Sequence, residues 1–285
     1  MSRLFVFATL ATLLFVVPIS AMAGQTAPPA GDPGLLVSTD WLAQHLDDPL
    51  VRVIATGDEG RYARGHIPGA RFLEHMDTLG PGHRLLSADA LAAVLAKAGA
   101  ADGTRIVLYG DSPMTTGWVY MALASVGHAK VSMLDGGMEL WRSENRPVSS
   151  EKPAAGTGRL TVHAAPDVAV DAKWVRSKLE SPSIHLLDVR STNEWSGGHL
   201  PGATLVLWQE LFADQRSLKF KSQDELRAFF ARAGVKPGQQ VVTYCAVGMR
   251  ASLMYWAALR AGLPARVYVG SWEDWSRDST NPVAR

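Results

Sequence analysis

The chain has 285 residues, of which 47% are hydrophobic and 19% charged, a composition that is typical of globular proteins and excludes a largely disordered chain. Its length exceeds the usual size of one domain, so we expect two. Because 28 Lys and Arg stand against 27 Asp and Glu, the near-neutral charge argues against a nucleic-acid-binding surface or a basic membrane-binding patch.

Residues 1–23 have the organisation of a secretory signal peptide. Arg3 precedes the mostly apolar stretch LFVFATLATLLFVV, and Ala-Met-Ala at 21–23 has the small residues of a cleavage site. An uncleaved membrane anchor is less favoured, because a helix needs about 20 apolar residues to span a bilayer. We therefore expect export to the periplasm, with a Pro- and Gly-rich linker at residues 24–34.

The rest of the chain is an internal repeat. The motif GHIPGA at residues 65–70 recurs as GHLPGA at 198–203, and residues 88–110 match residues 223–245. Self-similarity on this scale indicates a tandem duplication. We place the first domain at residues 35–148, a linker at 149–159 and the second domain at 160–285.

Each copy combines short β-rich segments with helices. In the second copy we predict the strands IHLLDV, ATLVLW, QVVTY and ARVYV and the helices SQDELRAFFARAG and RASLMYWAALRAG. This pattern predicts an α/β fold in which each domain has a parallel sheet with helices on both faces. Ligands of such sheets bind beyond the carboxyl ends of the strands.

Cys245, the only cysteine of the chain, directly follows the predicted strand QVVTY and opens a turn that leads into a helix. Such a turn directs backbone N–H groups into one concavity and adds the positive end of the helix, so an anion is favoured there. The first candidate anion is the Cys245 thiolate. Gly248 permits a backbone conformation that a side chain resists, although a purely structural role for it stays open.

Arg250 lies at or near the N-terminus of that helix, where a cation opposes the helix dipole. It therefore needs an anionic partner, either a bound substrate or a nearby carboxylate. The structural alternative for Cys245 is a small buried hydrophobe, the usual role of a free cysteine.

The tandem repeat and the motifs LLDVRSTNEWSGGHLPGA, YCAVGMRAS and GSWEDW together resemble the rhodanese family, two-domain thiosulfate or mercaptopyruvate sulfurtransferases. The resemblance covers nearly all of residues 35–285. It implies tandem rhodanese-like domains, of which the first is inactive and the second carries a cysteine that alternates between thiolate and persulfide. Cys245 would be that cysteine, in a loop formed by Ala246, Val247, Gly248 and Met249.

The resemblance also implies roles for residues near the loop. Arg190 and Arg250 would bind an anionic donor. Asp188 would orient neighbouring groups, a mainly structural role, and Trp272 would either line the pocket or pack as an ordinary core residue. In the first copy Gly110 stands opposite Cys245, as expected of an inactive domain.

The histidines of the two GH[I/L]PGA motifs, His66 and His199, occur in both copies and are interpreted as turn-stabilising residues. None of the eight histidines has a convincing metal-ligand spacing, and we expect no metal or organic cofactor.

The resulting hypothesis is a transfer of sulfane sulfur from thiosulfate to cyanide or a thiol through a Cys245 persulfide. The expected partners are a small anionic donor and a thiophilic acceptor, with no nucleic acid and no membrane span once the signal is removed. Ala246 and Val247 match neither the basic pair of thiosulfate enzymes nor the Gly-Ser pair of mercaptopyruvate enzymes. VLYGD in the first half favours the bacterial thiosulfate type, with mercaptopyruvate as the alternative donor.

Three other function classes compete with sulfur transfer. Tyrosine phosphatases place five residues between Cys and Arg, but four separate Cys245 from Arg250, and the shorter loop fits a sulfur atom better than a phosphate. A non-catalytic sulfur carrier or binding module, with a protein as sulfur acceptor, would use the same cysteine and stays open. A disulfide oxidoreductase is disfavoured because there is no second cysteine.

Overall fold

The computed structural model describes residues 34–153, 158–163 and 168–285. The predicted signal peptide at residues 1–23, and all of the predicted linker at 24–34 except Gly34, lie outside the described residues. Within the described ranges, no helix combines the length and the hydropathy that crossing a membrane requires.

The first domain contains a five-stranded sheet in which all neighbouring strands are parallel. Its strands are β1 (Leu36–Val37), β2 (Val51–Thr56), β3 (Arg71–Leu73), β4 (Arg105–Gly110) and β5 (Val131–Leu134), in the spatial order β1-β5-β4-β2-β3. Its helices are α1 (Thr39–Gln44), α2 (Glu59–Arg64), α3 (Ala88–Lys97), α4 (Pro113–Ser125) and α5 (Gly137–Ser143).

Both faces of this sheet are covered, because alternate residues of its strands enter two different core clusters. Ile106 and Leu108 pack with residues of α3 and α4. Val107 and Tyr109, which point the other way, pack with residues of α1 and α5. The predicted architecture, a parallel sheet between helices, is confirmed.

The second domain repeats the topology. Its strands are β6 (Ala169–Val170), β7 (Ile184–Asp188), β8 (Thr204–Leu205), β11 (Gln240–Tyr244) and β12 (Ala265–Tyr268), in the order β6-β12-β11-β7-β8, and β9 (Phe212–Asp214) and β10 (Lys219–Phe220) form a separate hairpin. Its helices are α6 (Ala172–Lys178), α7 (Thr192–Ser196), α8 (Gln223–Arg232), α9 (Met249–Arg260) and α10 (Ser271–Arg277). The predicted strand QVVTY coincides with β11. The predicted strand ATLVLW is shortened to β8, since a 3-10 helix begins at Trp208.

The two domains share one hydrophobic core along α4 and α9. Gly117 lies at the point of closest approach, where a Cβ atom would come within 2.7 Å of the Leu253 Cα atom. A larger residue at Gly117 would therefore push the two helices apart. The core formed by these helices includes Trp118 of the first domain and Trp256 of the second, both fully buried.

The segment between the domains runs along the first one. The Gly158 N–H donates to the Ala96 carbonyl at 2.8 Å, and the His163 N–H donates to the Val126 carbonyl at 3.0 Å. The described residues 158–163 therefore belong structurally to the first domain, whereas our sequence boundary assigned residues from 160 onward to the second.

Candidate active site

Cys245 lies at the carboxyl end of β11, the central strand of the second sheet. The residue is 1% exposed. Its N–H donates to Ser271 Oγ at 3.1 Å, and its carbonyl accepts a hydrogen bond from the Trp272 N–H at 2.9 Å. The first residues of α10 thus fix the backbone of the cysteine.

Ser271 is a site residue that the sequence analysis missed. It is fully buried and has a left-handed backbone with φ +55°, while Gly137 occupies the matching place of the first domain with φ +53°. A side chain in this conformation costs about 1–2 kcal/mol. The serine supplies a hydroxyl that accepts from Cys245 and donates to the Tyr268 carbonyl at 2.9 Å. The contrast between GSWEDW and GGMELW was the available sequence signal.

The loop after Cys245 closes on the sulfur atom. The Gly248 N–H donates to Cys245 Sγ at 3.1 Å, and Gly248 has φ +91° at the N-terminus of α9. A Cβ atom there would lie 2.8 Å from the Val269 carbonyl oxygen and 3.0 Å from the Trp118 ring. Conformation and space both require glycine at this position.

The other loop residues are less buried than Cys245 and Gly248. Ala246, Val247 and Met249 are half-buried, and the Ala246 carbonyl accepts from the Glu273 N–H at 3.1 Å. The Gly248 N–H and the N-terminus of α9 thus lie at the sulfur atom of Cys245, a position that suits an anion.

Arg250 lies in the first turn of α9 and is paired with Glu194. Its two terminal nitrogens donate to the two carboxylate oxygens of Glu194 at 2.8 and 2.7 Å. The Glu194 carboxylate is the main cause that raises the pKa of Arg250, and the nearby Cys245 side chain raises it further. Arg250 is therefore held by a carboxylate close to the cysteine side chain.

Glu194 is the second site residue that the sequence analysis missed. Arg250 is the main reason why its pKa falls from 4.5 to about 2, and hydrogen bonds from Ser191 contribute. The Ser191 N–H and hydroxyl donate to Glu194 Oε2 at 2.9 and 2.8 Å, which forms a capping box at the start of α7. The Ser-x-x-Glu spacing, together with the need of Arg250 for an anion, was the signal that could have identified it.

Arg190 and Asp188 form a buried ion pair beside the loop. Arg190 Nη2 donates to Asp188 Oδ2 at 2.7 Å and to the Gly198 carbonyl at 2.7 Å, and the two residues are 2% and 0% exposed. The Trp272 ring covers the guanidinium, with its centroid 4.5 Å from Cζ. Burial lowers the pKa of Arg190, but the hydrogen bonds and charge of Asp188 raise it above the ordinary value. Protein acceptors therefore hold the Arg190 side chain in a buried position, whereas we expected it to contact a donor.

The histidines of the two GH[I/L]PGA motifs lie in turns that pair with later segments. His66 exchanges two backbone hydrogen bonds with Ser149, and His199 does the same with Ala284. The His199 ring stacks on Trp195 at a centroid distance of 3.5 Å. In the described part of the chain, no group of three or more His, Cys, Asp or Glu side chains could hold a metal ion.

The comparisons with known proteins agree with this geometry. The rhodanese-like domain family matches residues 38–144 and 171–278. The sulfur carrier protein TtuD of Thermus thermophilus is 31% identical over 281 residues, which cover 89% of this chain and 97% of that protein. A thiosulfate sulfurtransferase of Azotobacter vinelandii is 29% identical over 268 residues, covering 87% and 96%. The crystal structure of YnjE superposes with a TM-score of 0.80 at 26% identity, covering 89% of this chain and 69% of that one. The chain therefore belongs to the rhodanese family, with one rhodanese-like domain in each half.

Proposed function

We propose that the protein is a sulfurtransferase that moves sulfane sulfur from thiosulfate to cyanide or a thiol through a persulfide on Cys245. The names of the two sequence relatives, a thiosulfate sulfurtransferase and a sulfur carrier, support sulfur transfer as the general function. The observation that carries the proposal is the Gly248 N–H directed at Cys245 Sγ, 3.1 Å away, with the Arg250 guanidinium beside the same sulfur. An N–H donor and a cation on one sulfur stabilise it as an anion, both as thiolate and as persulfide.

The reaction divides into two displacements. The Cys245 thiolate attacks the outer sulfur of thiosulfate, a new S–S bond forms, and the S–S bond of thiosulfate breaks with its electron pair leaving on sulfite. The acceptor, for example cyanide, then attacks the terminal sulfur of the persulfide and leaves as thiocyanate, which restores the thiolate. No external oxidant or reductant is needed, and each step is a simple displacement at sulfur.

The surrounding residues have different parts in this scheme. Arg250, oriented by Glu194, would attract the dianionic donor and stabilise the departing sulfite. The amides of the loop would stabilise the persulfide anion. Arg190, expected to contact the donor, is buried and stacked against Trp272, so a direct contact would require a local movement. We propose that Arg190 acts on the donor by its charge and by its packing with Trp272.

Thiosulfate is the proposed donor over mercaptopyruvate. The loop residues Ala246 and Val247 favour neither donor. One of the relatives aligned over nearly its whole length is named a thiosulfate sulfurtransferase, which supports the choice of thiosulfate. Initial rates with each donor, with cyanide as the common acceptor, test this choice. A kcat/KM for mercaptopyruvate well above that for thiosulfate would reverse it.

A second candidate function is a sulfur carrier that transfers its persulfide only to a dedicated protein. The similarity to a sulfur carrier protein favours it. Thiocyanate formation from thiosulfate and cyanide by the purified chain decides between the two. An enzyme forms thiocyanate over many turnovers without any partner, and its Cys245→Ser variant forms none. A dedicated carrier takes up one sulfur from thiosulfate and then forms no further product.

We also propose that the protein acts after export, in the periplasm. The signal-peptide pattern of residues 1–23 supports this proposal. N-terminal sequencing of the protein from a periplasmic extract is expected to begin at Gly24. An uncut Met1 start in the membrane fraction would contradict export of a cleaved protein.

A further inference from the structure

The first domain carries a partly open pocket at the place that matches the Cys245 site of the second domain. It lies at the carboxyl ends of β2, β4 and β5, where parallel sheets bind their ligands. Its floor is apolar and buried, formed mainly by Ala55, Tyr109, Met133 and Met138. A mostly apolar concavity with polar groups around it is the usual form of a small-molecule site.

This pocket lacks a counterpart of Cys245. Gly110 stands opposite Cys245, and a Cβ atom on Gly110 would lie 2.5 Å from Thr56 Oγ1 and 2.6 Å from the Thr56 carbonyl oxygen. No side chain, and therefore no nucleophilic side chain, fits at position 110 without moving β2. The pocket is suited to binding without catalysis.

The second domain completes the pocket with its β9–β10 hairpin. Leu218 and Phe220 line it, and the Phe220 N–H donates to Asp135 of the first domain at 2.9 Å. The Phe220 ring also packs on Trp256 of α9, at a centroid distance of 4.4 Å. An occupant of the pocket would thus contact a side chain that rests on the helix following the Cys245 loop.

Each domain extends one turn to the other, and the two turns differ in chemical character. The matching turn of the first domain reaches the second, where His83 approaches Glu273 at 3.6 Å. His83 and Leu218 have nearly the same left-handed backbone, with φ of +55° and +53°. The catalytic domain therefore receives a polar turn from its neighbour, and the first-domain pocket receives an apolar one.

Exposed charges of both signs surround the apolar floor. Arg61 stands where the second domain has Glu194, and Arg142 also lines the pocket but donates to the Gly65 carbonyl at 2.9 Å. The carboxylates of Asp58, Asp111 and Glu139 line the same pocket. In the described part of the chain, Arg61 has no ion-pair partner, and Asp111 accepts only the Asp58 N–H, at 3.1 Å. A cation and carboxylates that do not neutralise one another complement a ligand that carries both charges.

We infer that this pocket binds a free α-amino acid with an apolar side chain. The side chain would pack against the floor and the Leu218–Phe220 edge, while the carboxylate faces Arg61 and the ammonium group faces Asp111 and its acidic neighbours. This site is independent of the proposed sulfur transfer, because Cys245 takes no part in it.

Isothermal titration of the purified chain with L-methionine tests the inference. We expect saturable binding that is weakened by removing either charge of the ligand, in N-acetyl-L-methionine or L-methionine amide, and by replacing the apolar side chain, in L-serine. Arg61→Ala is expected to weaken binding about two- to fivefold, as for a solvent-exposed ion pair, and Arg64→Ala, on the same exposed helix but outside the pocket, leaves it unchanged. Leu218→Ala should weaken it as well.

Cys245→Ser is expected to bind L-methionine as the wild type does, whatever its sulfurtransferase activity. Absence of saturable binding in the folded wild type overturns the inference. Equal binding of the N-acetyl or amide derivative overturns the assignment to a doubly charged ligand. Binding that is lost in Cys245→Ser but kept in Arg61→Ala and Leu218→Ala would place the ligand in the second domain instead.

Discussion

Arg250 donates hydrogen bonds of 2.8 and 2.7 Å to both carboxylate oxygens of Glu194, and the same guanidinium lies beside the Cys245 thiol. Glu194 comes from α7 and Arg250 from α9, so two helices that are far apart in the sequence set the position of one cation. The first domain lacks this arrangement, because Arg61 and Thr115 occupy the two matching places.

Glu194→Gln is expected to slow sulfur loading from thiosulfate. The amide keeps the shape of the side chain but releases Arg250 from its fixed orientation, and loss of a charged hydrogen-bond pair should lower kcat/KM by about tenfold. The matched control is Glu225→Gln, since Ser222 and Glu225 form the same capping box on α8 without an arginine. Equal rates for the two variants would contradict a positioning role for Glu194.

The same pair predicts a pH dependence of stability. Because the pKa of Glu194 falls from 4.5 in its ordinary state to about 2 in the folded protein, its ionised form stabilises the fold above pH 4.5. This contribution is lost progressively as the pH falls from about 5 towards 2. Urea denaturation at several pH values in this range should therefore show the free energies of unfolding of wild type and Glu194→Gln converging. A constant difference between the two would contradict the assignment.

Trp118 of the first domain lies against the loop that follows Cys245. Its ring lies against Gly248, and its Nε1 donates to Thr78 Oγ1 at 2.8 Å. Trp118→Phe should slow persulfide formation, because the loop loses the surface that supports Gly248. Trp141→Phe is the control, since Trp141 is also fully buried and donates from Nε1, to the Pro147 carbonyl.

Both tryptophan variants are expected to lose about 0.5–3 kcal/mol of stability. The difference between them should appear only in the rate of sulfur loading, measured by stopped-flow at a temperature where both are folded. If the two rates fall equally, support of the loop by Trp118 is refuted.

The sequence predicted the parts of the site that depend on local chain order. A strand, a turn with Cys245 and Gly248, and a helix follow one another directly, so the position of the thiol at the edge of the sheet could be derived from residues 240–250. The repeat likewise predicted two domains of one topology and aligned Gly110 of the first domain with Cys245.

The rest of the site depends on packing between distant segments. Arg250 was expected to need an anion, but nothing in its neighbourhood identified Glu194. Arg190 was expected in the cleft, whereas Asp188, Gly198 and Trp272 hold it in a buried position. The local sequence does not distinguish a buried arginine from an exposed one. The Trp272 ring that covers Arg190 comes from a helix about 80 residues further along the chain.

The Arg190–Asp188 pair predicts a large loss of stability on removal of one partner. Asp188→Asn leaves a charged guanidinium in a site that is closed to water, which is expected to cost about 3–5 kcal/mol. Asp224→Asn, at the exposed partner of Arg227, should change stability by less than about 1 kcal/mol. Thermal denaturation distinguishes them, and similar midpoints for both variants would argue against a closed, structural ion pair.

We propose that Cys245 carries the transferred sulfur, and mass spectrometry of the purified protein after treatment with thiosulfate tests this most directly. We expect one added sulfur atom on the peptide that contains Cys245, one sulfite released for each sulfur bound, and loss of the added mass on reaction with cyanide. An unmodified Cys245 in a protein that still turns over thiosulfate would contradict it.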